Sequence, residues 1–288
     1  MKPSKLITAI VVCLLLINSL QAQEEIKLEN SVLWKIEHAD LNEPSYILGT
    51  LHLMCEKDFE IPKKVTQALQ IVDALVLEVN LSNPEEVKIM QESMNNTRKI
   101  SEELSKEQFD ELDTLVTKIM GASLINFDTY GLSILNVLML QKMLPCSQIK
   151  SVDNEMMSLA IKNNKPIYSL EKVKEQMQII DNAYPTEFAL KQIWLYESYK
   201  KDFSKAIVAY KNEDITKAVA LISKKEYMDK KATHIMQITR NKDWVNKMPQ
   251  MMKERSNLFA VGAAHLTKDY GVIHLLRKKG YKVTPIFN

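Results

Sequence analysis

Two histidines in this sequence follow, at the same distance, a glycine that ends an apolar run. His52 closes "LGTLH" and His265 closes "VGAAH", each a GxxH unit led in by an apolar run. A glycine at a strand end permits a sharp turn or a close backbone approach. Ligand crevices in open α/β sheets form at such strand ends, so a histidine three residues on can point into one. Glu78 ends the run "LVLE" and Glu171 ends "IYSLE" in much the same way. Two imidazoles with one or two carboxylates at one sheet edge can bind a divalent metal. They can equally act as a metal-free acid–base pair. Each piece alone has a bland reading, since lone histidines fill hydrogen-bonded niches and a single GxxH arises by chance. The repetition of the device carries the weight, and it requires the two GxxH strands to be neighbours.

Arg240 and Asn241, in "ITRN", form a further candidate pair. A guanidinium can clamp a carboxylate or steady an oxyanion, and an amide can orient either. By position alone a helix-surface arginine is the simpler reading. His38, His234 and His274 read as structural or solvent-facing. The sequence contains no GxSxG elbow, no HExxH helix and no phosphate-cradling glycine loop.

The elements that must position these residues read as follows. "SVLWKIEH" and "PSYILGT" are short strands joined by the turn-rich "ADLNEP". "IPKKVTQALQIV" follows helical periodicity, with its proline suited to the first turn. "DALVLEVN" is nearly unbroken in apolar character, as expected of a strand covered on both faces. Residues 84–144 are helical, and "SKEQF" supplies a capping box for a helix running through Met120. "TYGLSILNVLMLQKML" is interrupted by Asn136, Gln141 and Lys142, which favours a buried helix over a membrane span. "SVDNEMMSLAIKNN" is a helix with Asp153 as its expected cap. "KPIYSLE" is a strand, and residues 172–253 are helical with breaks near Pro185, Asn212 and Asn241. "NLFAVGAAHL", "YGVIHLLRKKG" and "YKVTPIF" make a terminal βαβ unit. The expected fold is α/β, with a central mixed sheet flanked by helices and a large helical insertion between its N- and C-terminal halves. Residues 23–288 would form it as one domain.

A net charge of +2 on 288 residues excludes the strongly basic footprint of a nucleic-acid binder. At the N-terminus, Lys2 and Lys5 precede an apolar stretch from Leu6 to Ile17. That is the length of a signal-peptide core and too short for a membrane span. Cleavage after Ala22 would release a secreted or periplasmic chain starting near Gln23, with no stable span left. Cys13 follows Val12 inside the apolar core, which argues against a lipoprotein. Cys55 and Cys146 remain, free to form one disulfide in an oxidising compartment or to act as buried thiols. A bridge would tie the His52 loop to "LPCSQ". Neither cysteine has a partner at metal-ligand spacing.

Taken together, "LGTLH", "LVLEVN", "KPIYSLE", "TRN" and "VGAAHLTKDYGVIHLLRKKGYKV" resemble the TraB/GumN family, which includes pheromone-shutdown proteins and Tiki-type metalloproteases. The resemblance runs from about Ser31 to Phe287. It places His52 and His265 in the family's two GxxH motifs, Glu78 at its acidic position, Glu171 in its "LE" segment and Arg240–Asn241 in its "RN" pair. It implies a fold similar to erythromycin-esterase-like and ChaN-like proteins. It further implies a divalent-metal-dependent hydrolase of peptide bonds, with His52, Glu78 and His265 as ligands. Glu171 would complete the shell or act as general base, and Arg240 and Asn241 would orient carboxylates or steady the oxyanion. Manganese or cobalt is the implied metal, and the donor types would also suit zinc or iron. The alternatives are a protein that binds a peptide or small molecule without cleaving it, and a metal-free esterase-like hydrolase.

Overall fold

The computed structural model describes residues 28–95 and 98–288. The expected signal segment, residues 1–22, lies outside them. Strands β1 (Leu33–Glu37), β2 (Ser45–Thr50), β4 (Ala74–Leu77), β6 (Ile167–Ser169), β7 (Asn257–Gly262) and β8 (Lys282–Pro285) form one sheet, in the order β6-β4-β7-β2-β1-β8. Two short strands, β3 (Met54–Cys55) and β5 (Ile149–Lys150), pair antiparallel beside it. β4 runs parallel to both β6 and β7, and β7 runs parallel to β2, with Thr50 opposite Gly262. β1 is antiparallel to β2 and to β8, so the sheet is mixed.

Every residue of β2, β4 and β7 is buried, as their unbroken apolar character implies. Helices cover the sheet: α1 (Lys63–Ile71), α6 (Val152–Lys162), α12 (Arg240–Glu254) and α13 (Val272–Lys278) all contribute to a core with Trp34, Phe259 and Trp244 among its fully buried side chains. The large helical insertion separates β4 from β7 and carries β5 and β6 within it. It runs through α2 (Pro84–Asn95), α3 (Ile100–Glu103), α4 (Lys106–Met120) and α5 (Gly131–Lys142). After α6 it continues through α7 (Val173–Ala183), α8 (Thr186–Trp194), α9 (Tyr196–Lys211), α10 (Ile215–Ile222) and α11 (Lys230–Thr233). A second apolar cluster, including Leu112, Leu124, Leu135 and Ile193, lies among α3, α4, α5 and α8. Among the described residues no single helix is long and apolar enough to cross a membrane, although α4 and the Leu124–Lys142 segment pass that test as a pair bent by 100°.

Several local expectations hold at the residue level. Ser105 and Gln108 form a reciprocal capping box that starts α4, and Gly121 ends it in the left-handed region at φ 73°. Others are corrected. Asp153 is not the cap of α6: Ser151 is, accepting from Asn154 N, and the Asp153 carboxylate is directed elsewhere. Pro62 sits at the N-cap of α1 rather than inside its first turn. No break occurs at Asn241, which lies inside α12. The irregularity just precedes it, where His234–Thr239 winds as a π-helix. Cys55 and Cys146 are bridged, with 5.8 Å between their Cα atoms.

Candidate active site at the sheet edge

Because β6, β4, β7 and β2 are parallel neighbours, their C-terminal ends share one edge. Glu171, Glu78, His265 and His52 follow these ends in that order, each within three residues of its strand. The two GxxH strands are therefore adjacent, as the shared-site idea requires. A single 3₁₀ turn, Ala263–His265, swings His265 in behind β7. The glycines serve the packing. A Cβ on Gly49 would lie 2.9 Å from Leu266 Cδ1, and one on Gly262 would lie 3.2 Å from His52 Nε2 and 3.3 Å from Glu78 Oε1.

Arg240 organises the buried half of the site. Its Nε and one terminal nitrogen form a bidentate pair with Glu171, each at 2.9 Å, and that nitrogen also donates to Glu78 Oε2 at 2.6 Å. The other terminal nitrogen donates to Met236 O at 3.3 Å and to His265 Nε2 at 3.1 Å. A guanidinium has five N–H donors, and all are engaged. Arg240 is thus a buried clamp with no N–H left for an oxyanion. Glu171 is similarly saturated, since Oε1 also accepts from Trp244 Nε1 at 2.8 Å and Oε2 is approached by Gln176 Nε2 at 3.4 Å. These contacts make Glu171 the counter-ion of Arg240 and leave little room for a base or ligand role.

The tautomer of His265 follows from its neighbours. Asn241 Nδ2 donates to Tyr270 O at 2.8 Å, which turns Oδ1 toward the imidazole. His265 Nδ1 therefore donates to Asn241 Oδ1 at 2.6 Å, and Nε2 accepts from Arg240. Burial holds this imidazole down to about 3, so it is neutral at ordinary pH. The Trp244 ring packs against it, with centroids 4.4 Å apart.

His52 is in the opposite situation. Its Nδ1 donates to Asp153 Oδ2 at 2.7 Å, while Asp153 Oδ1 accepts from Thr50 Oγ1 at 2.8 Å. The charge of Asp153 outweighs desolvation and pushes the imidazole up to about 9. The ring is crowded by protein on one side yet open to the cleft, with 64% of the side chain accessible, so solvent screens part of that pull. Its Nε2 faces Glu78 Oε1 across the space beside Gly262. Glu78 Oε1 accepts from Gly262 N at 2.8 Å, and Oε2 is shared by Arg240 and Gln176. Burial alone would raise this carboxyl. The charges of His265, Arg240 and His52 oppose it and hold it at about 2. Since His265 is neutral near pH 7, the guanidinium contact is the dominant opposing influence there.

For a divalent cation the donor set is incomplete. His52 Nε2 and Glu78 Oε1 face one space, and a histidine whose other nitrogen donates to a carboxylate is a familiar ligand arrangement. Asp153, Glu78 and Glu171 against Arg240 leave two negative charges when both imidazoles are neutral. The third expected ligand, His265 Nε2, is occupied by an Arg240 N–H. Among the described residues no three His, Cys, Asp or Glu side chains converge in a way that could hold a metal ion. Of the three expected ligands, His52 Nε2 and Glu78 Oε1 flank one space and His265 Nε2 does not stand free beside them.

Asp153, Gln176 and Trp244 were not among the sequence candidates. Asp153 reaches the site through the fold, where the Cys55–Cys146 bridge and the β3–β5 pairing bring "SVDN" against the loop bearing His52. His38 packs on Tyr281 and His234 is exposed at the start of the π-helix, and neither belongs to the cluster. The site opens into a cleft of about 420 Å³. Residues 32–285 match the model of the TraB/PrgY/gumN family. No curated protein and no solved structure is similar enough to match.

Proposed function

The chain belongs to the TraB/PrgY/gumN family, and from that premise we propose that it is an exported hydrolase of peptide bonds. The observation that carries the reading is the His52–Glu78 pair: a carboxylate-backed imidazole and a clamped carboxylate flank one space beside Gly262 in an open cleft. Near neutral pH the pair holds one proton, on His52, and one negative charge, on Glu78. A water between them attacks the substrate carbonyl while Glu78 Oε1 takes its proton. As the C–N bond breaks, His52 Nε2 gives its proton to the leaving nitrogen. The proton on Glu78 then passes to His52, and both groups return to their starting states. General acid–base work of this kind contributes roughly 10²–10⁴-fold.

Each neighbour has a positioning role. Asp153 fixes the His52 tautomer and ring plane. Arg240, Gln176 and Gly262 N hold Glu78 in its ionised form. His265, held neutral by burial and in one tautomer by Asn241, adds a polar contact to Arg240 without adding a charge.

The net negative charge of the cluster and the free His52 Nε2 favour a second reading, in which a divalent cation sits on His52 and Glu78. Bound there, it would acidify water and polarise the carbonyl. Two protein donors suit a cation that keeps most of its water, as manganese does, better than zinc. Incubating the mature protein with a peptide library, with Mn²⁺ and then with chelator, separates the readings. Cleavage that survives chelation supports the acid–base pair, and cleavage lost to chelator and restored by Mn²⁺ supports the cation. Saturable peptide binding with no cleavage under either condition overturns both in favour of a binding protein.

A further inference from the structure

The cleft beside His52 and Glu78 has two unlike surfaces. Its floor is the charged cluster at the strand ends. Its wall is apolar and is drawn from four separate segments: Val79 and Leu81 beyond β4, Met157 on α6, Ile180 on α7, and Met228 and Met236 before and within the π-helix. None of these six side chains is either sealed in the core or fully exposed. They stand half-buried around the opening, as the lining of a site does and a packed interior does not. Three of the six are methionines, whose unbranched thioethers adapt to varied apolar shapes.

We infer that this wall is the subsite that selects the substrate, and that it takes a bulky apolar side chain, of leucine or methionine size, on a residue flanking the cleaved bond. The inference rests on the proposed hydrolase site and names its substrate class. The floor supplies the matching exclusion. Asp153, Glu78 and Glu171 outnumber Arg240 and the protonated His52 by one charge, and the five N–H groups of Arg240 are all engaged internally. An acidic residue in the substrate would meet that negative charge, and the one open cation, His52, is the group whose proton the leaving nitrogen needs. It would also have to desolvate against an apolar wall. The cleft volume of about 420 Å³ lies within the range of small-ligand sites. The subsite therefore reads a short stretch of chain around the bond and not an extended surface.

The test uses two readouts on the mature protein. Quenched peptides that differ only at the flanking residue, as Leu, Met, Ser, Asp or Lys, give kcat/KM. Peptides of the same set with a reduced, uncleavable amide give Kd by calorimetry. Leu and Met are expected to exceed Ser by at least roughly 10-fold and Asp by roughly 100-fold in both readouts. Met228→Glu, on the half-buried wall, should move the preference from Leu toward Lys, and Met157→Leu should keep the original order. Equal Kd values across the set, or a preference for Asp, overturn the inference whatever happens to cleavage. An apolar order in Kd without any cleavage leaves the subsite standing and removes the hydrolase. Cleavage without that order does the reverse.

Discussion

His52 and His265 occupy equivalent positions in equivalent motifs and yet are opposite kinds of histidine. His52 is held by a carboxylate and stands open to the cleft, whereas His265 is buried between an amide and a guanidinium. Their linkage to folding has opposite signs. The depressed pKa of His265 means that only the unfolded chain binds its proton between about 3 and 6.5, so stability falls as pH drops below 6.5. The raised pKa of His52 means that the folded chain keeps a proton the unfolded one loses, so stability falls as pH rises from 6.5 through about 9. Thermal or urea unfolding should therefore show maximal stability near pH 6.5. The decline from pH 6.5 toward 5 should flatten in His265→Gln, by up to about 1.4 kcal/mol per pH unit; an unchanged slope would mean that His265 is not buried neutral. Gly262 tests the open space itself. In Gly262→Ala the added Cβ would intrude between His52 Nε2 and Glu78 Oε1. Activity should drop by roughly 10-fold or more while stability changes by less than about 1.5 kcal/mol. A fully active G262A would show that no reacting water needs that space. The gathering of His52, His265, Glu78 and Glu171 at one sheet edge was legible because each stands just past a strand with a distinct sequence pattern. Asp153 was misread because an acid near a helix start looks like a cap whatever its carboxylate contacts in three dimensions.

At the scale of elements, the site is a consequence of parallel strand order, and one helix and one covalent tie hold it in register. The π-helical stretch His234–Thr239 leads straight into α12, which carries Arg240, Asn241 and Trp244 toward the strand ends. Such insertions often mark functional positions. Nothing in "HIMQIT" distinguishes this winding from an ordinary α-turn, so the expected break was misplaced to Asn241. Removing the guanidinium in Arg240→Met would strand Glu78 and Glu171 as unpaired buried charges. A loss of about 3–5 kcal/mol in unfolding free energy is expected, and a loss under about 1 kcal/mol would refute the clamp. The Cys55–Cys146 bridge and the β3–β5 pair join the loop after His52 to the segment before Asp153. Cys146→Ser should cost about 2–4 kcal/mol of stability and lower kcat more than it raises KM, because the His52–Asp153 contact loosens. Unchanged kcat in the oxidised and variant proteins would show that the tie is structural alone. The cysteine pair was visible in the sequence, but pairing and buried thiols could not be separated without the fold.

At the scale of the molecule, the chain builds a mixed sheet early, interrupts it with many helices, and completes it with its last strands. The topology follows from which runs are apolar throughout and which alternate with helical periodicity, and those patterns were readable. The clamp was not, because a buried arginine and a helix-surface arginine look alike in one sequence. That distinction shifts the account of the site from three metal ligands to a cleft-facing pair supported by a buried ion network. The most direct measurement is peptide cleavage by the wild-type protein beside His52→Ala and Glu78→Gln, with circular dichroism confirming that each variant is folded. Cleavage by the wild type and a loss of roughly 10²-fold or more in kcat for each variant is the predicted result. Cleavage retained at wild-type rates in either folded variant would contradict the assignment of His52 and Glu78 as the reacting pair.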